Sequence, residues 1–229
     1  YDSPLFDAGA AFVFLGSRNG IANGNPSTAA GFLFGTQSSA FSGYSAAGAG
    51  DVDGDGYADV VVGSFLYDGG QTDEGAAFVY LGGARGIRGG AATSAAGIFE
   101  SNQAQALLGF SVDGIGDLNG DGYSDVVVGA PLYDGGQTDE GAAFIFLGGA
   151  VGTGDGNPLS AATVIESDQA SASLGISVSR AGDVNGDGYA DVIVGASGYD
   201  HGEIEEGMAF LFHGGPSGIV DGHPGSAAA

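Results

Sequence analysis

The chain has 229 residues, with 28 acidic side chains against 4 basic ones, and its formal net charge is −24. Nucleic acid or an anionic membrane surface would need a basic patch, so this charge argues against both as partners. The absence of cysteine excludes disulfides, thiolate metal sites and a cysteine nucleophile. Glycine contributes 48 residues, yet 43% of the chain is hydrophobic and 14 Phe and 9 Tyr are present, which is typical of a folded β-rich protein. We expect no membrane span in this segment, because no run of about 20 apolar residues is present.

A nine-residue motif recurs three times and organises the chain. It reads Asp-x-[Asp/Asn]-Gly-Asp-Gly-Tyr-x-Asp and occupies 51–59, 117–125 and 183–191, a spacing of 66 residues each time. Glycine, tyrosine and phenylalanine residues outside the motif recur at the same 66-residue spacing. The sequence therefore contains about three and a half copies of one repeat, and we expect it to begin and end within a copy.

Each copy contains four short β-type runs separated by turn residues, and no window shows sustained helical periodicity. In chain order, the predicted strands are 9–15 and 29–36; then 41–48, 58–63, 75–81 and 95–100; then 107–114, 124–129, 141–147 and 161–166. Four strands per repeat predict an all-β fold made of antiparallel β-propeller blades.

The repeat also predicts how the chain divides into blades. The predicted division is 1–40 as the end of one blade, 41–106 and 107–172 as complete blades, and 173–229 as an incomplete blade. A closed ring of seven such blades would need about 460 residues. The chain is therefore predicted to be part of such a ring or of a blade array.

Apolar residues at fixed repeat positions predict the core. The runs 60–62, 126–128 and 192–194 are continuously apolar, as expected of strands that are covered on both faces. One aromatic column, consisting of Phe12, Phe78, Phe144 and Phe210, is predicted to pack between neighbouring blades.

The nine-residue motif has the chemistry of a calcium loop. Oxygen ligands at positions 1, 3, 5 and 9, with the backbone carbonyl of position 7, would surround one cation, and glycines at positions 4 and 6 would supply the positive φ values. The predicted ligands are Asp51, Asp53, Asp55, Tyr57 and Asp59; Asp117, Asn119, Asp121, Tyr123 and Asp125; and Asp183, Asn185, Asp187, Tyr189 and Asp191. Three Ca²⁺ ions per chain are expected.

Magnesium binding and metal-free acidic turns are the alternatives to calcium binding. Magnesium ranks second, because it requires a tighter octahedron and retains more water, while zinc and copper prefer nitrogen or sulfur ligands. Acidic turns without a metal are disfavoured, since each pair of carboxylates about 5 Å apart costs on the order of 3 kcal/mol at an effective dielectric constant near 20. The loops are not EF-hands, because valine stands at position 12 and a strand follows. A structural role for calcium is expected rather than a switching one.

These features together resemble the FG-GAP repeat of integrin α-subunit β-propellers. The resemblance rests on the segments 108–111 (Leu-Gly-Phe-Ser), 116–125, 129–131 (Gly-Ala-Pro) and 141–144, and it covers the whole chain. Two departures are the change of Phe-Gly to Ser-Gly or Leu-Gly, and the loss of Gly-Ala-Pro at 63–65 and 195–197. The resemblance implies a seven-bladed propeller with calcium beneath the blades, located outside the cell or at its surface, in adhesion or recognition.

The function is left open between two classes. In the first, the chain is a calcium-stabilised module that recognises an extracellular protein or glycan; in the second, it is a structural subunit that joins further copies of itself. The acidic loops 67–74, 133–140 and 199–206 are expected on the rim opposite the calcium loops. The tyrosine that begins each of them would either contact a sugar or a basic partner or, as we prefer, pack at the blade edge while the acids solvate the rim. No catalytic motif is present, so we predict no enzyme activity, with a polysaccharide-degrading domain as the weaker alternative.

Overall fold

The glycine-rich turns and short apolar runs produce an all-β structure. The computed structural model describes residues 1–2, 5–87 and 89–228. Its strands are β1 (Ala10–Val13), β2 (Gly31–Phe34), β3 (Ser45–Gly50), β4 (Asp59–Ser64), β5 (Ala76–Tyr80), β6 (Gly90–Ala91), β7 (Gly97–Glu100), β8 (Ser111–Gly116), β9 (Asp125–Ala130), β10 (Ala142–Phe146), β11 (Thr163–Glu166), β12 (Leu174–Gly182), β13 (Asp191–Ala196) and β14 (Met208–Phe212). In this part of the chain, helix is limited to three 3₁₀ turns, Pro26–Thr28, Ala92–Ser94 and Pro224–Ser226.

The strands form four sheets, one after another along the chain. Two sheets have four antiparallel strands, in the orders β3-β4-β5-β7 and β8-β9-β10-β11. The strands β12-β13-β14 form a three-stranded antiparallel sheet, and β1-β2-β6 form another sheet in which β6 is parallel to β2. The prediction of an all-β protein built from four-stranded antiparallel blades is confirmed. The number of blades in a complete ring stays a prediction.

The innermost strands begin later than the sequence pattern predicts. The predicted strand 41–48 starts at Ser45, because Phe41 and Gly43 have φ values of 54° and 84°, outside the β region. The predicted strand 107–114 likewise starts at Ser111, after Leu107 at φ 60°. These left-handed residues turn the chain from one sheet into the next.

Short parallel contacts cover the outer edge of the sheets, and the sequence pattern did not predict them. The strand β6 belongs to the connection between β5 and β7, yet it pairs with β2 of the preceding sheet. Parallel bridges join Phe99 to Gly156 and Ile165 to Gly222 in the same manner. Each connection of this kind therefore covers the edge strand of the sheet before it, which protects that edge from unwanted pairing.

The hydrophobic core lies between consecutive sheets. Val61, Val79 and Phe99 of one sheet pack with Val126 and Phe144 of the next, and all five are buried. A second cluster joins the sheets that contain β9 and β13, and a third joins those that contain β2 and β5. This arrangement explains why the central strands are continuously apolar. In the aromatic column, Phe78, Phe144 and Phe210 are buried, whereas Phe12 is half-buried.

A glutamine in each connection between sheets binds the backbone of the next sheet. The Nε2 of Gln103 donates to the carbonyl of Asp134 (3.0 Å), and the Asp134 amide donates to Oε1 of Gln103 (2.7 Å). Gln37 and Gln169 make the same pair of bonds with Asp68 and Asp200. Each glutamine side chain thus donates to and accepts from the backbone of one residue of the next sheet, as a paired strand would, and so links neighbouring sheets.

We expect Gln103→Ala to lower the free energy of unfolding by about 1–2 kcal/mol, because it removes two hydrogen bonds that link adjacent sheets. Urea unfolding in calcium-containing buffer measures this change. The control is Gln137→Ala, since Gln137 is exposed and its side chain makes no hydrogen bond among the described residues. Equal losses in the two variants would contradict a linking role for Gln103.

Candidate metal centre

The three nine-residue motifs form loops, called aspartate loops below, that connect the first and second strands of their sheets. The loop at 51–58 follows β3, the loop at 117–124 follows β8, and the loop at 183–190 follows β12. A register shift at the end of the first strand precedes each loop, for example between Gly48 and Gly50. These bulges turn the chain out of the sheet, so that all three loops lie on the same rim of the sheets.

Aspartate side chains wind each loop around its own backbone amides. In the first loop, Oδ1 of Asp51 accepts from the Asp55 amide (3.0 Å) and Oδ2 accepts from Gly56 (2.9 Å). The Tyr57 amide donates to Oδ1 of Asp55 (2.9 Å). The corresponding bonds recur in the second and third loops. The glycines at positions 4 and 6 have positive φ, as expected; those of Gly54 and Gly56 are 74° and 89°.

The last aspartate of each loop is buried and begins the second strand. Asp59 accepts from the amides of Val52 (2.7 Å) and Gly82 (2.6 Å), so it ties the loop to the end of the third strand. Asp125 and Asp191 make the equivalent pairs of bonds. Burial raises the pKa of Asp59, and it raises the pKa of Asp125 to about 6. Ionising these carboxyls is therefore costly unless a cation is close.

The first loop brings three carboxylates together. Ligand atoms of Asp51, Asp53 and Asp59 lie within 4.8 Å of one another, and among the described residues they form the one such group of three His, Cys, Asp or Glu side chains. Asp55 is not part of this group. In the other two loops, Asn119 and Asn185 replace the second aspartate, and each donates through Nδ2 to the position-5 aspartate (2.9 and 2.8 Å). Ligation by the carbonyls of Tyr57, Tyr123 and Tyr189 stays a prediction.

The donor set fits a hard divalent cation. Throughout the part of the chain that the structure describes, the only basic side chains within 4.0 Å of a carboxylate oxygen are His213 and His223. Among the described residues, therefore, no arginine or lysine neutralises the converging charges of Asp51, Asp53 and Asp59. A set made only of carboxylate, amide and carbonyl oxygens suits Ca²⁺ or Mg²⁺ better than a transition metal.

A histidine beside the third loop was not assigned to this site from the sequence. The Nδ1 of His213 lies 3.2 Å from Oδ1 of Asp191, without the geometry of a hydrogen bond. The equivalent positions hold Leu81 and Leu147. The signal that could have located it is this substitution in an otherwise leucine column, immediately after the third strand. The pKa of Asp187 in the same loop is lowered, first by the Tyr189 amide, then by Asn185, and also by His213.

Two of the three acidic loops on the opposite rim, 67–74 and 133–140, have a buried glutamate, which corrects the expectation that their acids only solvate the rim, whereas the acids of 199–206 are exposed as expected. Glu74 and Glu140 are 1% exposed. The carboxylate of Glu74 accepts from the amides of Gln71 and Asn102, both at 3.0 Å. Tyr67 packs edge-on against Phe78, with ring centroids 5.4 Å apart. These residues hold the loop to its sheet, so only the exposed positions around Asp68 remain available for contact with a partner.

Burial raises the pKa of Glu100 above 4.5, and the charges of Glu74 and Asp155 raise it further. A carboxyl whose pKa is raised by folding contributes stability that is present at low pH and lost as the pH rises through the folded-state pKa. We therefore expect Glu100→Gln to stabilise the protein at pH 7 and the gain to shrink as the pH falls toward 5. Urea unfolding in excess calcium measures it, with exposed Glu203→Gln as control. A gain independent of pH would contradict this origin.

Four aromatic rings form a cluster on the same rim as the loop 67–74. Phe65 lies 5.7 Å from Phe41, 4.5 Å from Tyr44 and 5.5 Å from Phe110, measured between ring centroids. Tyr44 is 55% exposed and Phe41 is 37% exposed. The repeat pattern did not predict this cluster, although Phe65 stands where the Gly-Ala-Pro motif has proline. Partly exposed aromatic clusters are typical of contact surfaces.

Comparisons with known proteins agree with the repeat. A family model described as FG-GAP repeat matches residues 42–80, 109–146 and 175–219. The chain is 33% identical to integrin alpha-5 of Xenopus laevis over 175 residues, which is 72% of this chain and 16% of that protein. It is 33% identical to integrin alpha-IIb of Mus musculus over 171 residues, again 72% and 16%. It is 31% identical to integrin alpha-PS2 of Drosophila melanogaster over 201 residues, 82% of this chain and 13% of that protein.

The matched regions show how little of each relative is represented. The chain covers only about a sixth or less of the length of these integrin subunits. Each of the three family-model matches includes one nine-residue aspartate loop and the second and third strands of its sheet. In the described residues, no helix is both long enough and apolar enough to cross a bilayer.

Proposed function

Because this chain belongs to the FG-GAP repeat family, we propose that it is a calcium-stabilised β-propeller module that recognises an extracellular protein or glycan. The extracellular or cell-surface setting and the role in recognition, rather than catalysis, are carried over from the integrin alpha subunits that it matches. The blade division is proposed at 1–40, 41–106, 107–172 and 173–229. It is supported by the 66-residue repeat and by the order of the sheets.

The observation that carries the calcium proposal is the convergence of Asp51, Asp53 and Asp59, which have no basic partner in the part of the chain that the structure describes. The same hydrogen-bond pattern recurs in the second and third loops, which supports three equivalent sites. The fifteen ligands predicted from the sequence are proposed to hold the ions. When bound, Ca²⁺ supplies the positive charge that allows the carboxylates to stay close together. The chain's own contribution is the Asx-type winding that aims the oxygens inward.

The proposed recognition surface is the aromatic cluster of Phe41, Tyr44, Phe65 and Phe110. It lies on the rim opposite the calcium loops, so a partner can approach it without displacing the ions. Exposed aromatic side chains bury a large area at low entropic cost, and they serve protein and carbohydrate partners alike. The exposed acids near Asp68 border the same rim.

Native mass spectrometry in calcium tests the metal sites. We expect three ions per chain, and two ions in Asp121→Ala, which removes one carboxylate of the second loop. An EGTA-treated sample provides the metal-free mass. A calcium-treated chain that carries no ion would overturn the proposal, and so would an unchanged count of three in Asp121→Ala.

An array of glycans and extracellular-matrix proteins tests the recognition surface. We expect calcium-dependent binding that falls at least about tenfold in Tyr44→Ala, as for a contact worth more than 1.4 kcal/mol. Leu159→Ala is the control, because Leu159 is also exposed but lies in the connection between β10 and β11, on the calcium rim. Binding that is lost equally in both variants, or that no array member shows, would argue against this surface.

A further inference from the structure

The tyrosines of the second and third aspartate loops, Tyr123 and Tyr189, each cover the aspartate loop of the preceding repeat. A Cβ atom placed on Gly54 of the first loop would lie 2.7 Å from Cε1 of Tyr123, which belongs to the second loop. A Cβ on Gly120 of the second loop would lie 2.8 Å from Cε1 of Tyr189 in the third. The ring therefore lies directly against the glycine at position 4 of the neighbouring loop. Tyr123 and Tyr189 are half-buried as a result, whereas Tyr57 is 44% exposed.

Backbone hydrogen bonds join the same pairs of loops. The Ser124 amide donates to the carbonyl of Asp51 (2.9 Å), and Oγ of Ser124 accepts from the Asp51 amide (3.2 Å). The Gly149 amide donates to the carbonyl of Val52 (2.9 Å). The main chain around Asp51, the first ligand of its loop, is thus held on both sides by residues of the following repeat.

The second and third loops are joined in the same way, with one bond fewer. The Ala190 amide donates to the carbonyl of Asp117 (3.1 Å), and the Gly215 amide donates to that of Leu118 (3.1 Å). Alanine at position 190 lacks the hydroxyl that Ser124 contributes at the first junction. No described residue covers the third loop in this way: a Cβ on Gly186 would meet nothing within 4 Å, and Val184 is 51% exposed, against 0% for Val52 and Leu118.

We propose that Tyr123 and Ser124 position the calcium loop at 51–59, and that Tyr189 positions the loop at 117–125. Each of these two cation sites is therefore completed by the repeat that follows it, and its affinity depends on residues that are not its ligands. This inference rests on the proposed calcium binding of the same loops. The physical reason is that a loop already held in shape loses less conformational freedom when it closes around an ion.

Changing a residue that holds a metal ligand in place typically weakens metal binding 10–100-fold. We expect Tyr123→Leu to weaken binding at the first loop about tenfold, because it removes the ring from Gly54. The substitution keeps the Tyr123 backbone carbonyl, so binding at the second loop should change less than twofold. Tyr189→Leu should have the same effect one repeat later, on the second loop.

Nuclear magnetic resonance separates the three sites in the intact chain. The amides of Gly56, Gly122 and Gly188 each donate to the first aspartate of their own loop (2.9, 2.8 and 2.9 Å), so each resonance reports on one loop. A titration with Ca²⁺ gives a midpoint for each glycine. The expected result is a shift of about tenfold for Gly56 alone in Tyr123→Leu, and for Gly122 alone in Tyr189→Leu.

Two variants distinguish positioning from a general loss of stability. Tyr123→Phe retains the ring and should restore the Gly56 midpoint. Tyr1→Leu removes a tyrosine that packs edge-on against Phe12 and Phe32, outside the three loops, and should leave all three midpoints unchanged. A Gly56 midpoint that is unaffected in Tyr123→Leu, or affected equally in Tyr1→Leu, would overturn the inference alone. Glycine resonances that do not respond to calcium would overturn the proposed calcium sites as well.

Discussion

Removal of calcium with EGTA is expected to lower the melting temperature of the chain by at least about 20 °C. A site occupied at a thousandfold excess over its dissociation constant contributes about 4 kcal/mol to stability. Three sites would then contribute about 12 kcal/mol, as much as the whole free energy of unfolding of a typical protein. The electrostatic reason is that the carboxylates of Asp51, Asp53 and Asp59 repel one another without an ion. Differential scanning calorimetry in calcium and in EGTA measures the shift.

The same experiment can test which ion stabilises the chain and whether the aspartate loops are where it binds. Magnesium should restore less of the stability than calcium, because it fits a large oxygen cage poorly. A variant with Asp53→Ala, Asn119→Ala and Asn185→Ala removes one ligand from each loop and should respond much less to calcium. Identical melting curves of the unmodified chain in calcium and in EGTA would show that the loops do not depend on a metal.

Gly129→Ala adds a single methyl group, yet it is expected to be among the most destabilising substitutions in this chain. A Cβ at Gly129 would lie 1.9 Å from the carbonyl oxygen of Gly175, which belongs to the backbone of the next sheet. Backbone cannot rotate away as a side chain can, so the two sheets must separate. We expect a loss of about 3 kcal/mol or more in the free energy of unfolding, at the upper end of overpacking effects. Gly63→Ala should behave alike, because its Cβ would lie 2.0 Å from the Gly109 oxygen.

The third copy of the same position supplies a matched control. Gly195 occupies the same place in β13, but its nearest contact with an added Cβ is the Cβ of Ser177 at 3.6 Å, an ordinary van der Waals distance. Gly195→Ala should therefore change the free energy of unfolding by less than about 0.5 kcal/mol. Urea unfolding of the three variants in calcium compares them. Equal losses at Gly129 and Gly195 would mean that the effect arises within one strand and not at the junction of two sheets.

The sequence by itself determined the features that are written within one repeat. The 66-residue spacing and the four apolar runs per copy predict four-stranded antiparallel sheets, and the structure confirms them. The aspartate loops could also be recognised, because nine consecutive residues contain both the predicted ligands and the glycines that allow the loop to wind. Local patterns of this kind depend on short-range geometry, which is the same in every copy.

The tertiary structure decided what depends on the neighbouring repeat. The parallel pairing of β6 with β2 and the position of Tyr123 over Gly54 both arise between copies. Strand starts were also misplaced, because residues such as Phe41 adopt left-handed φ in order to pass from one sheet to the next. A side chain's own type does not reveal which neighbour it will meet across 66 residues. Such contacts become visible only when consecutive sheets pack face to face.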